Sequence, residues 1–227
     1  MFGKDISVKT RTQVATYVSL AYAVLAAVYF LPLDIPYKIA FPVGVVAAAS
    51  LWLLPWQMSL ALVASALGDI RGASGSFLGQ IEFFSVAHLF LIMFFVQRWF
   101  HDRSVFERAG IRHPEISMPG LAVCAAVSLG ALAFALIRII PEAPEGMVRG
   151  CAALYAVIIS MMLFFALVQR CWAYSVASVL FVFSDAVIGW NAFVGEVPGE
   201  NYLIMLPYYA AQLIFFLRAA HVCSGKS

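Results

Sequence analysis

Apolar residues run along the chain in blocks of roughly twenty, and proline, glycine or charge breaks one block from the next. A bilayer core near 30 Å thick takes roughly 20 apolar residues in a helix, so blocks of this length predict membrane crossings. They fall at about 13 to 31, 36 to 54, 57 to 70, 76 to 97, 118 to 140, 147 to 168, 172 to 193 and 202 to 220. The expected fold class is all-α, a polytopic transmembrane bundle of about eight helices. The boundary that decides the count is Leu54-Pro55-Trp56-Gln57, because proline kinks a membrane helix as readily as it ends one.

Positive charge resolves the count. With eight helices and the N-terminus inside, Lys4, Lys9, Arg11, Arg98, Arg103, Arg108, Arg112, Arg170, Arg218 and Lys226 are all cytoplasmic. Lys38, Arg71, Arg138 and Arg149 are left outside. Were the second and third blocks one kinked helix, the stretch from Arg98 to Arg112 would face outward, against the usual bias. Both termini are therefore expected on the cytoplasmic side. The longest loop is expected at about 98 to 117.

Composition agrees and narrows the partners. Of 227 residues, 63% are hydrophobic and 11% charged, whereas a soluble domain is about a quarter charged. Nothing is left over for a soluble unit, so 1–227 is read as a single transmembrane helical domain. The net charge of +2 is spread over segment ends without a basic stripe, which argues against a nucleic-acid partner. The first block follows Lys4, Lys9 and Arg11 but lacks a small-residue cleavage site, so it is expected to be retained as a helix. Such a chain is integral and multi-pass, with a bacterial inner membrane the preferred location and an endoplasmic reticulum compatible. Cys124, Cys151, Cys171 and Cys223 show no CxxC pairing and read as small packing residues.

Within the blocks, some residues should not be there. An ionised side chain in hydrocarbon costs a few kcal/mol on insertion scales, so each is a functional-site candidate needing a partner. Lys38, Asp69, Glu82, His88 and Asp185 qualify, and Ser65, Ser184, Asn191, Tyr208, Tyr209 and Gln212 accompany them. At 1.5 Å per residue, Lys38, Asp69, Glu82, Asp185 and Tyr208 fall within about 12 Å of the outer helix ends. A common height on several helices predicts one shared polar chamber. Ser65 with Asp69, and Tyr208 with Gln212, are i and i+4 and share a face. His88 sits deeper, turned about 120° from Glu82.

Plainer readings compete. Lys38 and Asp69 lie close enough to the interface to snorkel or to end their helices. Glu82 could be a structural partner of Lys38 or Arg71, and His88 a core histidine bonded to a neighbouring helix. Asp185 is hardest to explain structurally, because Phe181, Val182, Phe183, Ala186, Val187 and Ile188 flank it. Trp52, Trp56, Trp99, Trp172 and Trp190 read as interface anchors. There is no GxSxG elbow, HExxH or glycine-rich phosphate loop. With one intramembrane histidine and no short ligand spacing, neither a metal nor another cofactor is expected.

Several short motifs carry a family resemblance. LVASALGD from Leu62 to Asp69, then Phe77, Phe84 and Ala87-His88, is similar to the third and fourth helices of the YhhN-type lysoplasmalogenases. Phe181-Val182-Phe183-Ser184-Asp185, then Asn191 and Phe193, then Tyr208 to Ile214, resemble the later helices of that family. Lys38 with Pro42 is similar to its second helix. Departures surround the expected lipid entrance. Gln80 stands where the family has glycine, Leu91 where it has an aromatic, and Arg71-Gly72 where it has apolar residues, while Glu82 lies outside the pattern.

The resemblance implies hydrolysis of the vinyl ether bond of a lysoplasmalogen, a lysophospholipid held within the bilayer, to a fatty aldehyde and a glycerophospho-base. Vinyl ethers resist bases and nucleophiles but cleave after protonation on carbon, which gives an oxocarbenium ion that water captures. Two carboxyl groups in a low-dielectric chamber suit this, since mutual repulsion leaves one of them protonated. Asp185 is read as the acid and Asp69 as the stabilising carboxylate, with the reverse assignment left open. His88 would relay a proton or position water, and Lys38 would bind the lipid phosphate. Ser65, Glu82, Ser184, Asn191, Tyr208, Tyr209 and Gln212 would line the substrate site. A small-solute or proton-coupled transporter, a hydrolase of ester or amide lipids and a non-catalytic sensor are the competing readings.

Overall fold

The computed structural model describes residues 8–108 and 116–224, with side chains as far as His221. Eight α-helices succeed one another: α1 Val8–Tyr29, α2 Phe41–Leu53, α3 Trp56–Ala73, α4 Phe77–Arg108, α5 Met118–Phe134, α6 Met147–Leu167, α7 Trp172–Phe193 and α8 Glu200–Ser224. Among the described residues there is no strand. Leu54 and Pro55 are both extended, with ψ of 163° and 145°, so the proline ends α2 instead of kinking a longer helix.

Six of the helices are long and apolar enough to cross a bilayer. The other two are α2, which is short, and α3, whose hydropathy Gln57, Asp69 and Arg71 reduce. The chain is an integral, multi-pass membrane protein. Trp52, Trp56, Trp99 and Trp172 are exposed and gather at one end of the bundle, at the ends of α2, α3 and α7 and late in α4. The rise from Phe77 to Trp99 is roughly 33 Å, close to the hydrocarbon thickness.

One boundary differs from the sequence reading. The loop expected from 98 is helical to Arg108, because Arg98–Asp102 at 3.4 Å and Arg103–Glu107 at 3.0 Å are i, i+4 pairs that support helix beyond the apolar block. Lys4, Arg112 and Lys226 lie outside the described residues, as does the side chain of Cys223.

Short connections make successive helices antiparallel. α2, α3, α4, α6, α7 and α8 pack each against the next, and α8 closes the ring against α2 and α1. α5 lies outside it against α6, and a π-helical turn over Ala135–Ile139 at its C-terminal end packs against α6 and α7. α3 ends four residues after Asp69 in a glycine-dependent turn. Gly75 has φ 78°, its N–H donates to Gly72, and the Ser76 N–H donates to Arg71 at 3.0 Å, which satisfies carbonyls the helix would leave open.

The α3–α4 seam is the tightest contact near the polar residues, and two glycines make it possible. A Cβ at Gly68 would meet the Phe84 ring at 2.9 Å, and one at Gly72 would meet the Gln80 carboxamide at 2.8 Å. Phe84 is buried and flanked by Phe181 and Tyr208, so its ring has nowhere to retreat. Gly68→Ala is accordingly expected to cost about 1 to 3 kcal/mol by overpacking, seen as a lower thermal midpoint of the detergent-solubilised protein. An unchanged midpoint would show that the seam is looser than described.

Candidate active site

Asp185 lies two turns from the end of α7, one residue after the buried Ser184 and four after the buried Phe181. That register turns its carboxylate inward, where its side chain is 6% exposed. The Tyr155 hydroxyl, from α6, donates a short hydrogen bond to Asp185 Oδ2. His88 Nε2, from α4, lies 3.0 Å from the Tyr155 hydroxyl and 3.4 Å from the same carboxylate oxygen. If Tyr155 spends its proton on Asp185, its oxygen accepts from the histidine, and the order is His88 Nε2–H to Tyr155 O–H to Asp185. His88 is fully buried and its Nδ1 has no partner. That suits the neutral ring with Nδ1 as an unused acceptor, since a buried donor left unpaired would be costly.

Asp69, on α3, is the second buried carboxylate, at 1% exposure. Tyr208 of α8 donates to its Oδ2 at 2.8 Å. Gln212, one turn along α8 and 2% exposed, lies beside the Tyr208 hydroxyl. The two carboxylates are close enough for their charges to interact. Between the two groups stands a wall of rings: His88 on Phe181 at 4.6 Å, Phe181 on Tyr208 at 5.4 Å and Phe84 on Tyr208 at 5.8 Å.

The space around them is divided. A partly open apolar cleft of about 110 Å³ lies between α4, α5, α6 and α7, with Asp185 and Tyr155 on its wall among Phe77, Ile159, Val182 and Phe193. A wider polar mouth of about 450 Å³ lies between α3, α4 and α8, at the end of the bundle opposite Trp52, Trp56, Trp99 and Trp172, and is lined by Lys38, Asp69, Tyr208, Tyr29, Glu200 and Asn201. Gln80, Phe84 and Ile188 line both. Where depth alone predicts one chamber, there are two adjoining compartments with an aspartate in each.

Lys38 stands on a single 3-10 turn before α2, and its ammonium donates to the carbonyls of Leu31 at 3.0 Å and Leu33 at 2.8 Å. One of its three N–H donors remains. Tyr29 faces the same mouth, with its ring centroid 5.7 Å from the lysine nitrogen and its hydroxyl hydrogen-bonded to Asn201.

The remaining sequence candidates hold the frame. Tyr209 donates to Ile39 at 2.8 Å, Ser184 to Ile204 at 2.9 Å and Ser65 to Ala61 at 2.9 Å, while Asn191 accepts from the Val197 N–H at 3.0 Å. None of these four lines either compartment. Glu82 departs furthest from expectation. It is exposed, sharing the outward stripe of α4 with Val86 and Leu89, because it lies almost opposite the face of Phe84 and His88. It is therefore apart from the chamber that its depth suggested. Tyr155 was missed, since an aromatic inside an apolar block counts as core. Its hydroxyl, in an otherwise apolar stretch of α6, was the available signal. Among the described residues no three His, Cys, Asp or Glu side chains gather as a metal site.

Comparison with known proteins adds a lineage to this geometry. The lysoplasmalogenase TMEM86B of Mus musculus is 35% identical over 169 residues, covering 72% of this chain and 63% of the mouse protein. Its namesake in Rattus norvegicus is 34% identical over 170 residues, covering 72% and 61%. The match thus spans less than two thirds of the length of these relatives. No solved structure matches the chain. The YhhN family model matches residues 37–219, which contain Lys38, both aspartates, His88, Tyr155 and Tyr208, and the chain belongs to the YhhN family.

Proposed function

We propose that the protein hydrolyses the vinyl ether bond of a lysoplasmalogen, with the alkenyl chain in the apolar cleft and the glycerophospho-base in the polar mouth. The observation that carries this is the pairing of compartments: an acid on the wall of an apolar cleft, next to a mouth holding a cation and a second carboxylate. Its relatives are named for this activity. In a lipid lying across the shared wall, the vinyl carbon that takes the proton is on the tail side, by Asp185. The ether oxygen and glycerol are on the head side, toward Asp69.

This division supports the assignment with Asp185 as the acid and Asp69 as the stabilising carboxylate. Asp185 gives a proton to the vinyl carbon attached to the tail, and the positive charge develops on the neighbouring carbon and the ether oxygen. Asp69 stabilises that charge and takes a proton from the water that adds to the carbon. The hemiacetal then breaks its bond to the glycerol oxygen, which takes the proton held by Asp69, while the proton leaving the hemiacetal hydroxyl as the aldehyde forms passes to Asp185. The Tyr155 hydroxyl, itself bonded to His88, holds the Asp185 carboxylate in place to receive that proton. Lys38 offers its remaining N–H to the lipid phosphate, and the Tyr29 ring and Glu200 offer a site for the base ammonium. The positive-inside bias supports placing both termini on the cytoplasmic side, with the polar mouth on the opposite face.

A direct test gives the purified protein a vinyl ether lysolipid and its saturated ether analogue. Aldehyde is expected from the first and none from the second, because only the vinyl group forms the oxocarbenium ion. Solute flux in proteoliposomes without aldehyde would favour transport instead.

A further inference from the structure

Of the three residues that line both compartments, Phe84 and Ile188 cannot hydrogen-bond through their side chains, and Gln80 can. Its carboxamide makes no hydrogen bond to the protein among the described residues, although Gln80 is half-buried. Its place is built rather than incidental. A Cβ at position 72 would lie 2.8 Å from Gln80 Cδ and 2.9 Å from both its Oε1 and Nε2, so the carboxamide occupies a niche that only glycine leaves open on α3. Ser76 fixes the backbone beneath it, accepting from the Gln80 N–H at 2.9 Å. A polar group is thus held without a protein partner at the junction of an apolar and a polar space, and such a group is expected to meet one on the ligand.

Resting on the lipid hydrolase reading above, we infer that Gln80 hydrogen-bonds the free hydroxyl on the middle glycerol carbon of the substrate, and so selects a single-chain lipid. With the tail beside Asp185 and the phosphate beside Lys38, the glycerol lies across Gln80, Phe84 and Ile188. Its hydroxyl has no other side-chain partner among those three. A second acyl chain at that carbon would remove the donor and press on the buried Phe84 ring. Gln80 is a specificity-determining residue in this scheme and takes no part in proton transfer.

The test compares the vinyl ether lysolipid with its 2-deoxy analogue, which lacks only that hydroxyl. Wild-type protein is expected to favour the hydroxyl by about tenfold in kcat/KM, the worth of one well-made hydrogen bond. Gln80→Leu and Gln80→Met should bring the ratio close to one while still releasing aldehyde. Gly72→Ala, which pushes the carboxamide out of its niche from the other helix, should lower the ratio in the same direction. A purely structural role for Gln80 would depress both substrates equally and leave the ratio alone, and that result overturns the inference. So does a wild-type ratio near one. If the wild type released aldehyde from neither lipid, the hydrolase reading itself would fall, a result distinct from active protein with an unaltered ratio.

Discussion

Asp185→Asn is expected to reduce aldehyde release by a factor of about 10² to 10⁴, the usual contribution of a positioned general acid. Asparagine keeps the shape and can still accept the Tyr155 hydrogen bond through its carbonyl oxygen, so the junction of α6 and α7 should survive. What it cannot do is give up a proton to carbon. Tyr155→Phe removes the group between His88 and Asp185 but leaves the acid, so its loss should be smaller, about tenfold. Turnover of purified variants, together with their thermal midpoints in detergent, separates chemistry from unfolding. Full turnover by a folded Asp185→Asn protein would rule out Asp185 as the acid.

The contrast between these residues also shows what could be read from sequence. Crossing helices were legible because a bilayer imposes length and apolarity on each block, and Pro55 was legible because charge bias chose between its two outcomes. The α4 extension was obscured because a charged stretch looks like loop, although its i, i+4 pairs hold it helical. Depth could be counted along each helix, and it brought Lys38, Asp69, Asp185 and Tyr208 to one level. Direction around the axis is fixed only by neighbours. Glu82 shares that level and faces outward, whereas His88 sits deeper and reaches Asp185 because α6 and α7 bring their polar groups down to it. Division of the polar space was invisible for the same reason, since Gln80 and Phe84 of α4 and Ile188 of α7 form a wall only when the two helices meet.

Asp69→Asn should separate transition-state stabilisation from binding. Its carboxylate faces the mouth and accepts from Tyr208, so the proposed role is to meet a positive charge that exists only after the vinyl carbon is protonated. Removing a preorganised charge aimed at developing charge typically costs about 10² to 10³ in kcat. The saturated ether analogue never develops that charge and should bind the Asp69→Asn variant as it binds wild type, because only interactions stronger in the transition state accelerate the step. Tyr208→Phe leaves the carboxylate but releases its orientation, for a loss nearer tenfold in kcat. The decisive comparison is kcat for the vinyl ether against the dissociation constant of the saturated analogue. If Asp69→Asn weakened analogue binding as much as it slowed turnover, Asp69 would be a head-group contact, and the cation formed at Asp185 would need another counter-charge.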